Sequence, residues 1–473
     1  MKSFKLPILL IAILAGSIAF TGCKKEGCTD ATALNYDADA NDDDGSCIYD
    51  QTETITDNTG TTTWTKDKTY LLEGFVFVES GQTLTIEAGT VIKGKGGTGV
   101  NASALIVARG GRIIAEGTQT EPIIFTAEQD DVNNPNDIPH GTRGLWGGLM
   151  ILGEASLNTV PSEQSIEGLP TTESRGTYGG TDDEDDSGIL KYISVRYGGS
   201  DIGAGNEING VTFGGVGRGT VVEHIEVFHN ADDGFEWFGG TVNTKWLSAA
   251  FCGDDSYDYD QGFRGNGQYW FAVNDATDGD RGGEHDGGTD PENGSPYAKP
   301  VISNATYIGR GTDAGKRTLT FRDNAGGEYH NSIFVNYAMG IDIEILSGAD
   351  HSYRQYLDGN IKLRGNHFYN VADQTVTGVF KVSTSDTTVA QSTIDAAELV
   401  IQGDFGTNNT VDVDPGVSID YNSNMIDVLP GAAALSGAMQ PSPVWFDQVS
   451  YKGAFGTSNW LQDWSALSAG GYF

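Results

Sequence analysis

The feature that most constrains the fold is an internal repeat of 22 residues. Sliding "HIEVFHNADDGFEWFGG" (residues 224–240) onto "WLSAAFCGDDSYDYDQG" (residues 246–262) places acids on acids, aromatic residues on aromatic residues and glycine on glycine. The flanking sequence consists of short apolar runs, such as "TLTIEAGTVIKG" and "ALIVARGGRIIAEG", that end in turn-forming residues. These runs predict short strands, and the repeat favours a stack of coils over a sandwich.

A second pattern indicates how the coils would bend. Phe-X-Asn occurs at Phe228, Phe334 and Phe368, and the asparagines are Asn230, Asn336 and Asn370. Asn tolerates left-handed backbone at a bend, and like side chains stack about 4.8 Å apart in parallel coils. We therefore expect an all-β chain, a right-handed parallel β-helix over residues 57–473 with loop insertions. A C-terminal cap is expected near "NWLQDWSALSAGGYF", and no helical periodicity is evident in the strand-rich body.

The N-terminus, "MKSFKLPILLIAILAGSIAFTGCKK", has two early lysines and an apolar run that is too short for a membrane span. It is typical of a signal peptide over residues 1–22. The ending Phe-Thr-Gly-Cys resembles the bacterial lipoprotein box, which implies acylation of Cys23 and an outer-membrane anchor. Cleavage of an ordinary secretory signal near Ala19 is the alternative. The following Lys-Lys-Glu partly resembles the surface-export signal of Bacteroidota lipoproteins, which implies exposure at the cell surface.

Residues 23–56 are expected to form a small acidic module and linker. In an oxidising exterior, Cys28 and Cys47 should pair as a disulfide, whereas Cys252 stands alone in a strand-like segment and is expected to be buried. The candidate calcium ligands, which alternate in the enclosed loop, are Asp37, Asp39, Asn41 and Asp43. "GCTDATALNY" and "DDDGSC" resemble thrombospondin-type calcium repeats. A solvated spacer held by one disulfide is the alternative.

The overall charge limits the partners. The chain has 28 basic and 65 acidic residues and a net charge of -37. Such a surface repels phosphate backbones, so a nucleic-acid partner is excluded, and it favours cations such as calcium. No motif for an organic cofactor is evident.

The repeated acids are the sharpest candidate site. Asp232, Asp233 and Glu236 would stack on Asp254, Asp255 and Asp258 of the next coil. The candidate catalytic residues are Asp232, Asp233, Asp255 and Arg264. The candidate calcium ligands are Asp233, Asp255 and Asp258. The alternative is structural, because Asp-Asp-Gly is a common turn and Asp accepts hydrogen bonds from backbone N–H groups at bends.

Aromatic residues next to these acids suggest a sugar-binding surface. Trp237, Tyr257 and Tyr259 alternate with acidic residues, and exposed rings flanked by polar groups suit the faces of sugars. The same alternation fits a plain strand with one buried face. Both interpretations predict a strand at this position.

The chain resembles the pectin-lyase-like β-helix superfamily. "GLWGGLMILG", "ISVRYGG" and "ADDGFEWFGG" are also similar to a family of Bacteroidota surface lipoproteins, often labelled multidrug transporters. That label conflicts with the lack of a membrane-spanning run beyond the N-terminus. Polygalacturonase-like hydrolases have Gly-His-Gly and Arg-Ile-Lys elements, which this chain lacks.

The leading functional hypothesis is a non-catalytic binding or adhesion module for a polysaccharide or another surface polymer, supported by calcium. One alternative is a calcium-dependent polysaccharide lyase or glycoside hydrolase. Another is an accessory subunit of an outer-membrane import or secretion complex.

Overall fold

The computed structural model describes residues 24–31, 33, 35–47, 51–203, 207–288, 291–439, 441 and 444–473. The chain divides into two compact units, residues 1–51 and residues 52–473. The larger unit starts before residue 57, because its first strand begins at Thr52 and already pairs with the next coil. Within the described residues, every helix is too short or too polar to cross a membrane.

The smaller unit contains the parallel pair β1 (Glu26–Gly27) and β2 (Asp42–Asp43). The strands of the larger unit are β3 (Thr52–Asn58), β4 (Thr62–Trp64), β5 (Thr69–Val78), β6 (Thr83–Ile86), β7 (Val91–Gly94), β8 (Ala104–Val107), β9 (Arg112–Glu116), β10 (Ile123–Ala127), β11 (Leu149–Leu152), β12 (Gln164–Ser165), β13 (Thr177–Tyr178), β14 (Gly188–Arg196), β15 (Val211–Gly214), β16 (Val221–Phe228), β17 (Phe235–Phe238), β18 (Asn243–Ala250), β19 (Tyr257–Asp260), β20 (Asn266–Val273), β21 (Gly283–Asp286), β22 (Val301–Ser303), β23 (Thr306–Gly311), β24 (Arg317–Arg322), β25 (Gly327–His330), β26 (Ile333–Tyr337), β27 (Met339–Glu344), β28 (Ile361–Arg364), β29 (His367–Val371), β30 (Phe380–Ser383), β31 (Thr410–Val411), β32 (Ser418–Asp420) and β33 (Met425–Asp427). The helices are α1 (Ser352–Leu357), α2 (Val376–Val379), α3 (Gln391–Asn408) and α4 (Ala466–Ala469).

The larger unit is a parallel β-helix with three faces. Face one runs through β7, β10, the ends of β14, β16, β18 and β20, and then β23, β26 and β29. Face two runs through β8, β11, β15, β17, β19, β21, β24, β27 and β30. Face three runs through β6, β9, the starts of β14, β16, β18 and β20, and then β22, β25 and β28. The predicted parallel β-helix is confirmed.

The 22-residue repeat is the register between two coils of face two. Phe235 lies opposite Tyr257, and Trp237 lies opposite Tyr259. All four rings are buried, and Trp237 stacks on Trp270 with ring centroids 4.9 Å apart. Stacked rings remove a large apolar area from water at each coil, so the repeat itself builds the core.

The asparagines at the bends form the predicted ladder in part. Asn336 and Asn370 have positive φ angles of 67° and 51°, and Asn370 Nδ2 donates to Asn336 Oδ1 at 2.8 Å. The third position differs, because His229 rather than Asn230 has the positive φ, at 57°. Asn is therefore one of several residue types that occupy these bends.

Helix α3 corrects the expectation that the body of the chain has no helix. Its buried residues, Ala397, Ile401 and Phe405, are spaced four apart and form a single stripe. The stripe lies against β28, β30 and β31, which are the last strands of the three faces. This helix covers the end of the β-helix and protects the open strand edges there.

The C-terminal segment does not cap the β-helix, which corrects the second expectation. The segment returns to the middle of the coils, where the main-chain N–H of Ala466 donates to the carboxylate of Glu226 at 2.6 Å. Trp464 packs edge-on against Tyr192 with ring centroids 5.6 Å apart. Residues so far apart in the sequence leave no local pattern from which their contacts could be predicted.

Insertions interrupt the coils between β10 and β11, between β11 and β14, and between β21 and β22. The second insertion contains the antiparallel pair β12 and β13. Its side chains Leu157, Ile166 and Leu169 pack against Phe238, which points outward from face two. Part of face two is thus covered by this insertion rather than by solvent.

Candidate functional site

The repeated acids lie together on face two and on the bends that precede it. We call them the acid row, which consists of Asp232, Asp233, Glu236, Asp254, Asp255 and Asp258. Glu236 and Asp258 are opposite each other in β17 and β19, and Glu284 follows in β21. The stacking of acids that the sequence predicted is therefore present.

Two members of the acid row hold the backbone of the next coil. Asp233 Oδ1 accepts a hydrogen bond from the main-chain N–H of Asp255 at 2.8 Å. Asp255 Oδ1 accepts in the same way from the main-chain N–H of Arg281. Each carboxylate satisfies a buried donor at the bend of the following coil, so both have a structural role.

A different set of oxygens converges. One carboxylate oxygen each from Asp233, Glu236 and Asp258 lies within 4.8 Å of the others. Oδ1 of Asp258 is buried and has no hydrogen-bond partner. Asp255 belongs instead to a separate group with Asp254 and Asp280. Of the predicted calcium ligands, the structure thus joins Asp233 and Asp258, adds Glu236 and places Asp255 elsewhere.

The electrostatics of the acid row follow from burial. Desolvation raises the pKa of Asp233, Glu236 and Asp258 well above the usual carboxyl range, and neighbouring carboxylates raise it further. At Asp232, desolvation and then the charge of Asp254 raise the pKa to about 7. Like charges in a low dielectric do not all stay ionised without compensation. The burial of these carboxyls therefore favours bound protons or a cation at the acid row.

Arg264 does not belong to the acid row, which corrects its role as a catalytic candidate. Its guanidinium donates to both carboxylate oxygens of Asp183 at 2.7 Å and to Ser156 Oγ at 2.7 Å. The cation beside the acids is Arg281, whose Nη1 lies 3.1 Å from both Asp255 Oδ2 and Glu284 Oε1.

The family of the larger unit is shown by its sequence profile. The model of the "Pectate-lyase like beta helix domain" matches residues 54–410. This chain belongs to that family. Among solved structures, the pectate-lyase-like domain is similar to the Dettilon tailspike protein (gp208), at 9% identity and a TM-score of 0.24. The match covers 69% of this chain and 62% of the tailspike chain, so this chain spans less than two thirds of its length. No curated protein matches the chain in sequence.

The candidate sugar-binding aromatics lie inside the pectate-lyase-like domain, which corrects that prediction. Trp237, Tyr257 and Tyr259 are at most 1% exposed. The Tyr257 hydroxyl donates to the Phe271 carbonyl at 2.6 Å, and the Tyr259 hydroxyl donates to the Gly326 carbonyl at 2.7 Å. Rings that are buried and hydrogen-bonded inside the coils offer no face to a ligand.

The disulfide of the smaller unit is confirmed, because Cys28 and Cys47 are joined with Cα atoms 4.7 Å apart. Cys252, in the pectate-lyase-like domain, is buried and free, as expected. The predicted acylation site, Cys23, lies outside the described residues.

The acidic loop between the paired cysteines is partly neutralised by Lys25. Its Nζ lies 2.8 Å from Asp37 and 3.5 Å from Asp39. Asn41 Oδ1 accepts from the Lys25 main-chain N–H at 3.1 Å, and Asp43 Oδ1 accepts from the Gly45 N–H at 3.0 Å. In the described part of this unit, no three acidic side chains converge as those of the acid row do.

Sequence reasoning missed one cluster of the pectate-lyase-like domain altogether. His140 lies between Tyr472 and Asp275, with its ring edge-on to His229 at 4.7 Å. The histidines are scattered along the sequence, and the hydroxyl partner is 332 residues from His140. No local signal connects these positions, because the first insertion, the connection between β20 and β21 and the returning C-terminal segment bring them together.

Proposed function

We propose that this protein is a lipid-anchored, surface-exposed outer-membrane module that binds a polysaccharide or another surface polymer without converting it. The lipoprotein box at Cys23 and the resemblance to Bacteroidota surface lipoproteins support the anchor and the location. Membership of the pectate-lyase-like family supports a rigid coil scaffold from which insertions project. Loops on such a scaffold commonly carry binding sites.

The non-catalytic role rests on one observation, which is that the side chains of Asp233 and Asp255 already accept hydrogen bonds within the protein. Asp233 and Asp255 each accept a main-chain hydrogen bond from the following coil, and Asp255 also accepts from the Arg281 guanidinium at 3.1 Å. A general acid or base needs a lone pair or proton within reach of a substrate. Buried carboxylates that hold the backbone do not meet this requirement.

Calcium is proposed as structural support at Asp233, Glu236 and Asp258. Hard cations take carboxylate oxygens as ligands, and one oxygen from each of these three residues lies within 4.8 Å of the others. Among the described residues, Oδ1 of Asp258 has no hydrogen-bond partner. Desolvation, and then repulsion, raise the pKa values of these carboxyls, and a bound cation would offset both. It would join two neighbouring coils of face two.

One arrangement favours the competing function of a calcium-dependent lyase. Arg281 lies beside the acid row, within 3.1 Å of Asp255 and Glu284, and its side chain is 23% exposed. A basic group next to a cation site is the combination that proton abstraction from an acidic sugar requires. The two functions differ in whether a product forms.

Binding and turnover on a panel of soluble glucan, mannan, galactan and polygalacturonate, with calcium and with chelator, would test the proposal. We expect one polymer to bind and no product to appear over a day of incubation. Turnover that is lost in Asp255→Ala and kept in the exposed helix variant Asp395→Ala would contradict the non-catalytic role. Absence of binding to every polymer would contradict a role in polysaccharide recognition.

A further inference from the structure

A cavity of about 240 Å³ lies between the first insertion and the returning C-terminal segment. Its floor is formed by the buried rings of Tyr197, Phe228 and His229, and its rim includes His140 and Tyr472. These rings belong to the bend after face one, where Tyr197 and His229 have positive φ angles of 60° and 57°. Phe251, at the equivalent bend of the next coil, has a positive φ of 59° as well, so this backbone conformation belongs to the coil geometry.

His229 is the polar side chain that remains unexplained. It is 1% exposed, and neither ring nitrogen has a hydrogen-bond partner within the described part of the chain. It stacks between Tyr197 and Phe251, at ring-centroid distances of 6.0 Å and 5.3 Å. Phenylalanine would suit that stack without leaving two polar atoms unpaired. Buried polar atoms without partners are rare, and each one requires an explanation.

The rim of the cavity is held in place by hydrogen bonds. His140 Nε2 lies 3.0 Å from Asp275 Oδ2, so it carries the proton and donates. Nδ1 of His140 then accepts from the Tyr472 hydroxyl at 2.9 Å. Asp275 is itself fixed by Arg143 at 3.4 Å. This chain of contacts orients both rim rings toward the same opening.

The lining determines the chemistry of the ligand. Aromatic and proline side chains suit the apolar faces of a sugar ring. The donor and the acceptor of the neutral His229 imidazole lie beneath the cavity surface and are unpaired, whereas the two nitrogens of His140 are already used by Asp275 and Tyr472. Among the residues that the structure describes, no lysine or arginine lines the cavity, and the chain carries a net charge of -37, which disfavours anionic sugars. The volume is smaller than a drug-sized site and suits a single ring.

We propose that this cavity, with His229 at its floor and His140 and Tyr472 at its rim, is a subsite for one uncharged pyranose ring of a polysaccharide. The proposal rests on the proposed function and names its location and substrate class. It differs from the acid row in position and in charge preference.

Isothermal titration calorimetry with cellotetraose, mannotetraose and tetragalacturonate would test this subsite. We expect a neutral oligosaccharide to bind and tetragalacturonate not to bind. His229→Phe should raise Kd at least tenfold while leaving the melting temperature equal or higher, because it removes two unpaired buried atoms. A residue with only a structural role would instead lose stability on substitution.

Tyr472→Ala should also raise Kd at least tenfold, whereas Tyr297→Ala, at an exposed tyrosine outside the cavity, should leave Kd unchanged. A neutral oligosaccharide that binds equally to the wild type and to His229→Phe would overturn this subsite alone. Preferential binding of tetragalacturonate would overturn the charge preference and the subsite. Failure of every oligosaccharide and every polymer would overturn the proposed function as well.

Discussion

The two sides of face two are built from the same repeat but differ in their energetics. Inside, Trp237 and Tyr259 stand opposite each other in adjacent coils, and both are buried. Outside, Glu236 and Asp258 stand opposite each other one residue earlier in the same strands. Repetition stacks like on like in both rows. Stacked rings attract, and stacked carboxylates repel.

This contrast explains why the acid row is not a plain solvated surface. Glu236 is only 7% exposed, and the insertion between β11 and β14 packs on the same face near Phe238. Backbone hydrogen bonds to Asp233 and Asp255 offset part of the repulsion between these buried carboxylates. Bound protons or a cation offset the rest. The stacked rings inside face two stabilise the coils under all conditions. The acid row stabilises them only when protons or a cation are bound.

The largest expected effect on stability comes from the stacked rings inside face two. Trp237→Ala removes a fully buried ring that stacks on Trp270, and we expect a loss of about 3–5 kcal/mol in the free energy of unfolding. Urea unfolding measures this loss. Trp445→Ala, at a partly buried tryptophan near the surface, is the matched control and should cost much less. Equal losses in the two variants would mean that the ring row is not the core.

A smaller effect on stability should come from Asp233 of the acid row. Asp233→Ala leaves the buried N–H of Asp255 without its acceptor and should cost about 1–3 kcal/mol in chelator, and more with calcium because a proposed ligand is lost. Asp233→Asn retains an oxygen for that bond and should recover most of the loss when calcium is absent. If both variants are as stable as the wild type in chelator, the hydrogen bond from the Asp255 N–H to Asp233 does not contribute to stability.

The acid pairs can be predicted from the sequence where consecutive coils contain the same number of residues. Asp258 follows Glu236 by 22 residues, so alignment by eye finds the pair. The next residue in the row, Glu284, comes 26 residues later, because the coil has lengthened. Arg264 is nearer to the acids in sequence, but Arg281 is the residue that contacts them.

Other parts of the fold left no local signal. The buried stripe of α3 has three residues in a helix that is otherwise mostly exposed, which is too few for a recognisable apolar face. Glu226 meets Ala466 across 240 residues of chain. The burial of Tyr257 was likewise undecided, since strict alternation fits a ring that points inward as well as one that points toward a ligand.

The acid row also determines whether the stability of the fold rises or falls with pH. The folded-state pKa of Asp232 is about 7, above the ordinary value of 3.8 that applies to the unfolded chain. Between pH 4 and 7, the folded protein keeps a proton that the unfolded chain releases, so stability falls as pH rises. The slope is at most about 1.4 kcal/mol per pH unit for one proton. Asp232→Asn should flatten this part of the profile in chelator.

The most direct test is the free energy of unfolding at pH 8, measured with calcium and with chelator for the wild type and Asp258→Asn. At a calcium concentration a few times Kd, we expect the wild type to gain about 1 kcal/mol. Asp258→Asn should gain nothing and should exceed the wild type in chelator, because it removes one repelling charge. Asp395→Asn, at an exposed acid of α3, should behave as the wild type. No response to calcium in the wild type, or an equal response in Asp258→Asn, would contradict a cation held by the acid row.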